Sequence, residues 1–198
     1  VIISTGASNL KEIGNTLKLY NRMRHSKIIL LHCVSNYPCT EKNINLRVMN
    51  TLKDKFKFPV GYSDHSNSDT AAIMSVCFGA KVIEKHFTLN KKANGPDHKA
   101  SADPQDFKKY VDSIRMAEKI LGTDEKKIHK EERSIRKISR KSITLKNNLF
   151  KGSKLNLENI IMKRPGTGLI GDKLGKVLGK KLRRDLIKNY QLKKRDFK

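Results

Sequence analysis

Four short, largely apolar runs, each followed by an amphipathic stretch, constrain this chain more than any other feature. They cover residues 1–4, 27–33, 58–63 and 80–86. Strands that lack a polar–apolar alternation are buried on both faces, and strands that alternate with helices pair in parallel. The intervening segments supply the helices. Asn9 stands where an N-cap opens a helix over 9–19, a second helix is expected over 46–55, and a third runs over 70–78 to a stop at Gly79. A fourth covers 104–121, with Pro104 in its first turn, where proline is tolerated. The predicted class is α/β. Four βα units are half of a TIM (β/α)8 barrel, a fold that gathers its chemistry at the C-terminal ends of the strands.

The pattern changes near residue 121. Residues 122–138 contain few large apolar side chains and read as an exposed linker. From 139 to 198 short β-like runs appear at 141–145, 159–162 and 174–181, punctuated by glycines, so this part reads as a small β-rich domain. The half barrel is therefore assigned to 1–121. No internal repeat is apparent.

Charge is the next constraint. The formal net charge is +24, from 43 Lys and Arg against 19 Asp and Glu. Residues 1–118 hold 18 basic and 11 acidic side chains, and residues 119–198 hold 25 and 8. A basic half of this kind raises nucleic acid as a partner. The cations are mostly Lys, however, and are spread along the chain rather than set between aromatics. A solvated lysine-rich surface, also tolerant of an anionic substrate, is the preferred reading. Cys33, Cys39 and Cys77 are odd in number and follow no CxxC spacing, which argues for a reducing cytoplasm rather than a disulfide framework. No apolar run reaches the roughly 18–20 residues of a membrane span. The opening Val1-Ile2-Ile3-Ser4 has no initiator Met or basic leader and reads as the interior of a longer protein.

The polar residues fall at the expected strand ends. His65 and His86 are 21 residues apart, one βα unit, at the mouths of adjacent strands. Two converging imidazoles suit a divalent first-row metal with open positions, whereas a strand-end His taken alone is more often a hydrogen-bonded packing residue. Ser35 and Ser63, on neighbouring loop mouths, could donate to phosphate oxygens, although serines after strands are common. Glu84 and Lys85 alternate, so one faces the barrel and the other the helices. An inward Lys85 would suit an anion, and an interior ion pair is the alternative. Arg164, before Pro165-Gly166-Thr167-Gly168, sits at an expected tight exposed turn; by composition it is one more cation.

Five ordered blocks carry a resemblance. They are Leu30-Leu31-His32-Cys33-Val34-Ser35-Asn36-Tyr37-Pro38, Gly61-Tyr62-Ser63-Asp64-His65, Glu84-Lys85-His86-Phe87-Thr88-Leu89, Gly95-Pro96-Asp97-His98-Lys99-Ala100-Ser101 and Lys163-Arg164-Pro165-Gly166-Thr167-Gly168. Together they resemble the sialic acid synthase family, the last block matching its antifreeze-like (SAF) domain. The resemblance implies condensation of phosphoenolpyruvate with an N-acetylated hexosamine such as N-acetylmannosamine, giving a nine-carbon 2-keto sugar acid and phosphate. It also implies a divalent metal, Mn2+ or Mg2+, with His65 and His86 as ligands. Ser35 and Ser63 would hold the phosphate, Ser35 standing where some members carry Asn. Tyr37 and Asp97 would contact sugar hydroxyls, and Arg164 would reach the N-acetyl sugar in the partner subunit of a domain-swapped homodimer.

The Gly-Pro-Asp-His block leans toward sialate or legionaminate over pseudaminate. The chain starts at what resembles the fifth barrel strand, so the resemblance implies that the lysines gripping the phosphoenolpyruvate carboxylate lie outside it. A non-catalytic remnant that keeps the fold and binds anions remains an alternative. A synthase making 3-deoxy sugar acid phosphates is disfavoured by the small C-terminal domain. Half a barrel would leave sheet edges open, so the isolated chain is expected to be poorly soluble or oligomeric.

Overall fold

The computed structural model describes residues 1–23 and 27–197, and within it the chain divides into two compact units, 1–123 and 124–198. The first holds β1 (Ile2–Ser4), α1 (Leu10–Arg22), β2 (Ile29–Cys33), α2 (Glu41–Ile44), α3 (Val48–Phe56), β3 (Val60–Asp64), α4 (Thr70–Cys77), β4 (Ile83–Lys85) and α5 (Pro104–Leu121). The strands form one sheet in the order β1-β2-β3-β4, every pair parallel. The register sets Cys33 opposite Ser63, Ser63 opposite Glu84 and Asp64 opposite Lys85.

Local chemistry explains the helices. Asn9 accepts from the backbone N–H groups of Lys11 and Glu12, and Glu12 accepts from the N–H of Asn9, a reciprocal cap that satisfies donors with no intrahelical partner. Asp103 caps α5 by accepting from the backbone N–H groups of Gln105 and Asp106, with Pro104 at the first helical position. Gly79 stops the chain after α4 in the left-handed region at φ +85°, where a Cβ is disfavoured.

Successive strand residues face opposite sides, and this periodicity separates core from site. Leu30, Val60 and Tyr62 join Ile13, Leu17, Met49 and Leu52 in the main core beneath the helices. Ala72, Val76, Tyr110 and Ile114 form a second cluster between α4 and α5. On the other face the Leu31 side chain lies over Gly61, so closely that a Cβ at 61 would collide with it and with the Val82 carbonyl. The fourth expected strand is shorter than 80–86, because only Ile83–Lys85 pair regularly with β3. The short α2 was not foreseen; one helical turn carries little periodicity.

The second unit contains α6 (Glu132–Ser139), the antiparallel pair β5 (Ser142–Leu145) and β6 (Ile160–Lys163), and the short α7 (Leu174–Val177). Its core is Ile143, Leu145, Leu155, Val177, Leu182, Leu186, Leu192 and Phe197. Two details differ from the sequence reading. The stretch read as an exposed linker is exposed but holds α6, and the run 174–181 begins as a helical turn rather than a strand. Glycines permit close approach here: a Cβ on Gly168 would lie 2.7 Å from the Leu192 carbonyl oxygen.

Candidate functional site

The C-terminal ends of β3 and β4, with the loop after β2, bring three rings together. The centroids of His65 and His86 are 5.2 Å apart at an interplanar angle of 77°. Tyr37 lies 4.1 Å from His65 and 5.2 Å from His86, centroid to centroid. His65 is buried and His86 half-buried. Both histidines therefore lie on the face of the sheet turned away from the helices, the face that also carries Ser63.

Each group has a defined partner. Nδ1 of His65 lies 2.8 Å from the carbonyl oxygen of Val34. A carbonyl only accepts, so Nδ1 bears the proton and Nε2 keeps its lone pair. Nε2 is 3.5 Å from Ser63 Oγ, and Ser63 in turn donates to Glu84 Oε1 at 2.7 Å. His86 Nδ1 is 4.0 Å from Asp97 Oδ2, which places Asp97 beside the ring cluster. The Ser35 hydroxyl lies against Gly6 in the loop after β1. Desolvation first, then the charges of Cys33, Asp97 and Glu84, hold the Tyr37 phenol above its ordinary range, so it remains a neutral donor.

Glu84 and Lys85 do alternate, and it is Glu84 that reaches the Ser63 side. Lys85 points toward the helices, where its ammonium pairs with Asp64 Oδ2 at 3.2 Å and also reaches the Ser66 carbonyl. Of the two sequence readings for Lys85, the interior ion pair is the one found. His32 also faces the helices. Its Nε2 donates to the Ile44 carbonyl at 2.6 Å, and burial lowers its pKa more than this bond raises it.

The donor set can be tested against a divalent cation. His65 offers a lone-pair nitrogen whose tautomer is fixed by a carbonyl behind it, the usual outer support of a metal-bound imidazole. No group of three or more His, Cys, Asp or Glu side chains suited to a metal occurs among the described residues. Two imidazoles could give an ion at most two protein nitrogens and would leave its other positions to other ligands, unlike a closed structural site.

Arg164 belongs to the second unit. It is exposed, and its Nε donates to the Ser139 carbonyl at 2.9 Å. The following turn is tight because Gly166 packs against Arg140, where a Cβ would come within 2.6 Å of the Arg140 Cβ. Glu84 as a partner of Ser63, and Cys33, whose Sγ is 3.8 Å from His65 Nδ1, were not singled out from the sequence. The strand period and the β3–β4 register would have indicated Glu84; nothing in the sequence marks Cys33.

Comparison with known proteins follows the same division. The NeuB family profile matches residues 1–126, and the SAF domain profile matches 140–198. An N,N'-diacetyllegionaminic acid synthase of Legionella pneumophila is 44% identical over 190 residues, covering 94% of this chain and 53% of the relative. A solved N-acetylneuraminic acid synthetase from Leptospira borgpetersenii, in complex with citrate, is 38% identical with TM-score 0.61, covering 68% of this chain and 47% of that one. A spore coat polysaccharide biosynthesis protein E from Chromobacterium violaceum shares the fold, with TM-score 0.78 at 20% identity, over 100% of this chain and 60% of its own. The chain spans about half the length of the curated relatives it matches. No helix among the described residues is long and apolar enough to cross a membrane.

Proposed function

Since this chain belongs to the NeuB family, we propose that it carries half of a (β/α)8 barrel and the SAF domain of a sugar acid synthase. The reaction joins phosphoenolpyruvate to an N-acetylated hexosamine. The observation that carries this reading is the convergence of His65, His86 and Tyr37 at the C-terminal strand ends, where barrel enzymes place their chemistry.

In the proposed reaction C3 of phosphoenolpyruvate forms a bond to the aldehyde carbon of the open-chain sugar. Water adds at C2, the C2–O bond to phosphate breaks, and a 2-keto acid and phosphate result. A divalent cation, Mn2+ or Mg2+, would be held by His65 Nε2 and His86 and would supply Lewis-acid polarisation of the aldehyde oxygen. The side chains of this chain bind and orient. Tyr37, neutral and half-exposed beside both imidazoles, offers a donor to a sugar hydroxyl, and Asp97 offers an acceptor beside His86. Ser63 donates to an anionic oxygen once it turns from Glu84, and Ser35 does the same from the neighbouring loop. Arg164 presents a planar fork to the N-acetyl carbonyl in a partner subunit.

The relatives support one reading of the acceptor class. Two N,N'-diacetyllegionaminic acid synthases are 44% and 42% identical to the chain, against 35% for a pseudaminic acid synthase from Campylobacter jejuni. We assign the acceptor to the legionaminate type, a di-N-acetylated hexose. Phosphate release from phosphoenolpyruvate, measured with N-acetylmannosamine and with a di-N-acetylated hexose, tests both statements. The measurement is made on a chain restored to the length of its relatives. Release with neither sugar rejects the activity, and preference for N-acetylmannosamine rejects the assigned acceptor.

A further inference from the structure

We infer that Asp64 is a positioning residue: through Lys85 it locks β3 to β4 on the helix side and so sets the approach of the His65 and His86 rings on the opposite side. Asp64 is 1% exposed, and its carboxylate collects five donors. Oδ1 accepts from the Ser66 backbone N–H at 2.9 Å, the Ser66 hydroxyl at 2.7 Å and the Tyr62 phenol at 3.3 Å. Oδ2 accepts from the Tyr110 phenol at 2.8 Å and the Lys85 ammonium at 3.2 Å. A carboxylate offers about four lone-pair sites, so this one is saturated and has no capacity left for a ligand. Its role is structural in direction, yet it adjoins the site on both strands.

The register makes the effect specific. Asp64 and Lys85 are directly paired residues of β3 and β4. Each is followed in sequence by one of the two histidines. Because side chains alternate across a sheet, fixing one cross-strand pair fixes which residues meet on the opposite face. Slippage of β4 by one residue would carry Glu84 and His86 to the helix side and bring Lys85 to the face that keeps His65. The Tyr110 bond ties the same carboxylate to α5, and the Ser66 bonds hold the chain just beyond His65, so three segments are fixed around one buried anion. Burial and the neighbouring Asp64 charge raise the phenol pKa of both Tyr62 and Tyr110, which keeps both as donors at any physiological pH.

This inference rests on the proposed metal role of the histidines for only one of its two readouts. The first readout needs no metal. In full-chain NMR spectra the wild type should show nuclear Overhauser contacts from His65 to both His86 and Tyr37. Asp64→Asn, which leaves Lys85 facing a neutral amide, should lose the His65–His86 contact while keeping the contacts of Leu30 with Met49 in the core. The double variant Asp64→Asn with Lys85→Gln, two neutral hydrogen-bonding partners, should restore it. The second readout is Mn2+ affinity by calorimetry, expected to fall about tenfold in Asp64→Asn, as for other outer-shell losses, and to recover in the double variant. Should Asp64→Asn fail to fold, Tyr110→Phe removes one donor at constant shape and should weaken the His65–His86 contact. An unchanged ring contact in the folded variants overturns the positioning role. Absence of Mn2+ binding in the wild type overturns the metal reading instead and leaves the first readout standing.

Discussion

The Nδ1 atom of His65 lies 2.8 Å from the carbonyl oxygen of Val34, and this one bond decides which nitrogen of the ring is available. Because the carbonyl cannot donate, the Nδ1–H tautomer is held and the Nε2 lone pair turns toward Ser63, 3.5 Å away. The ¹⁵N chemical shifts of His65 at alkaline pH should therefore report a protonated Nδ1 and a bare Nε2. Mn2+ should broaden the Nε2 signal first. Metal ligation needs neutral imidazole, so Mn2+ affinity should decrease as the solution is acidified. Finding the Nε2–H tautomer would break the assignment of His65 as a ligand.

Ser63 presents its hydroxyl to Glu84 at 2.7 Å, so it is engaged by an anion of the protein itself. Any phosphate oxygen must compete with that carboxylate for the donor and be repelled by its charge. Glu84→Ala should strengthen binding of inorganic phosphate by about tenfold, the scale of one hydrogen bond to a charged group. Ser63→Ala should abolish the gain when combined with Glu84→Ala. Calorimetric titration of phosphate into the single and double variants measures both. Equal affinities in wild type and Glu84→Ala would remove Ser63 from the phosphate site.

His32 gives stability an acid limb. Burial holds its folded-state pKa below the ordinary 6.5, so the unfolded chain binds a proton that the folded chain refuses. Stability is then complete above about pH 6.5 and falls as pH drops below it. The slope from this group approaches 1.4 kcal/mol per pH unit until the lower folded pKa is reached. Urea midpoints between pH 7.5 and 5.5 should fall accordingly. His32→Gln, which keeps a donor for the Ile44 carbonyl but cannot titrate, should flatten the dependence.

Gly61 is required by space rather than by backbone conformation. Its missing side chain accommodates Leu31 from the adjacent strand, and the Val82 carbonyl crowds the same point. Backbone cannot yield as a flexible side chain does. Gly61→Ala should cost about 1–3 kcal/mol, the usual range for overpacking, and should shift the β3–β4 spacing on which the histidine pair depends. Thermal unfolding of the variant checks the first effect. A melting temperature equal to the wild type would show that the sheet opens without penalty.

How much of this was legible in the sequence depends on whether a feature follows from local chemistry. Asn9 with Glu12, Asp103 with Pro104, and Gly79 are local signals, and the helices they bound were foreseen. The grouping of the strand-end residues followed from treating the apolar runs as parallel strands. The orientation of Glu84 and Lys85 did not, because an alternating pair has two phases and only its partners, Ser63 on one face and Asp64 on the other, decide between them. The five donors on Asp64 come from Tyr62, Ser66, Lys85 and Tyr110. These positions lie up to 48 apart in sequence, and their convergence exists only in the fold. The helical turn at Leu174 was misread as β-like because four residues of mixed apolar and glycine character have no period to measure.

Arg164 separates a structural contact from a functional one. Its Nε donates to the Ser139 carbonyl at 2.9 Å, and the residue is exposed, so water can replace the side chain at little cost. Arg164→Ala should therefore lower stability by no more than about 1 kcal/mol. Among the described residues no carboxylate pairs with the terminal nitrogens of the fork, which leaves them for an acyl oxygen. A Lys at this position keeps the charge but loses the planar pair of donors. In a chain restored to the length of its relatives, Arg164→Lys and Arg164→Ala should both raise KM for the N-acetylated sugar. KM for phosphoenolpyruvate should stay nearly constant. Equal losses for the two substrates would indicate that the Ser139 contact, through the fold of the second unit, is what the residue provides.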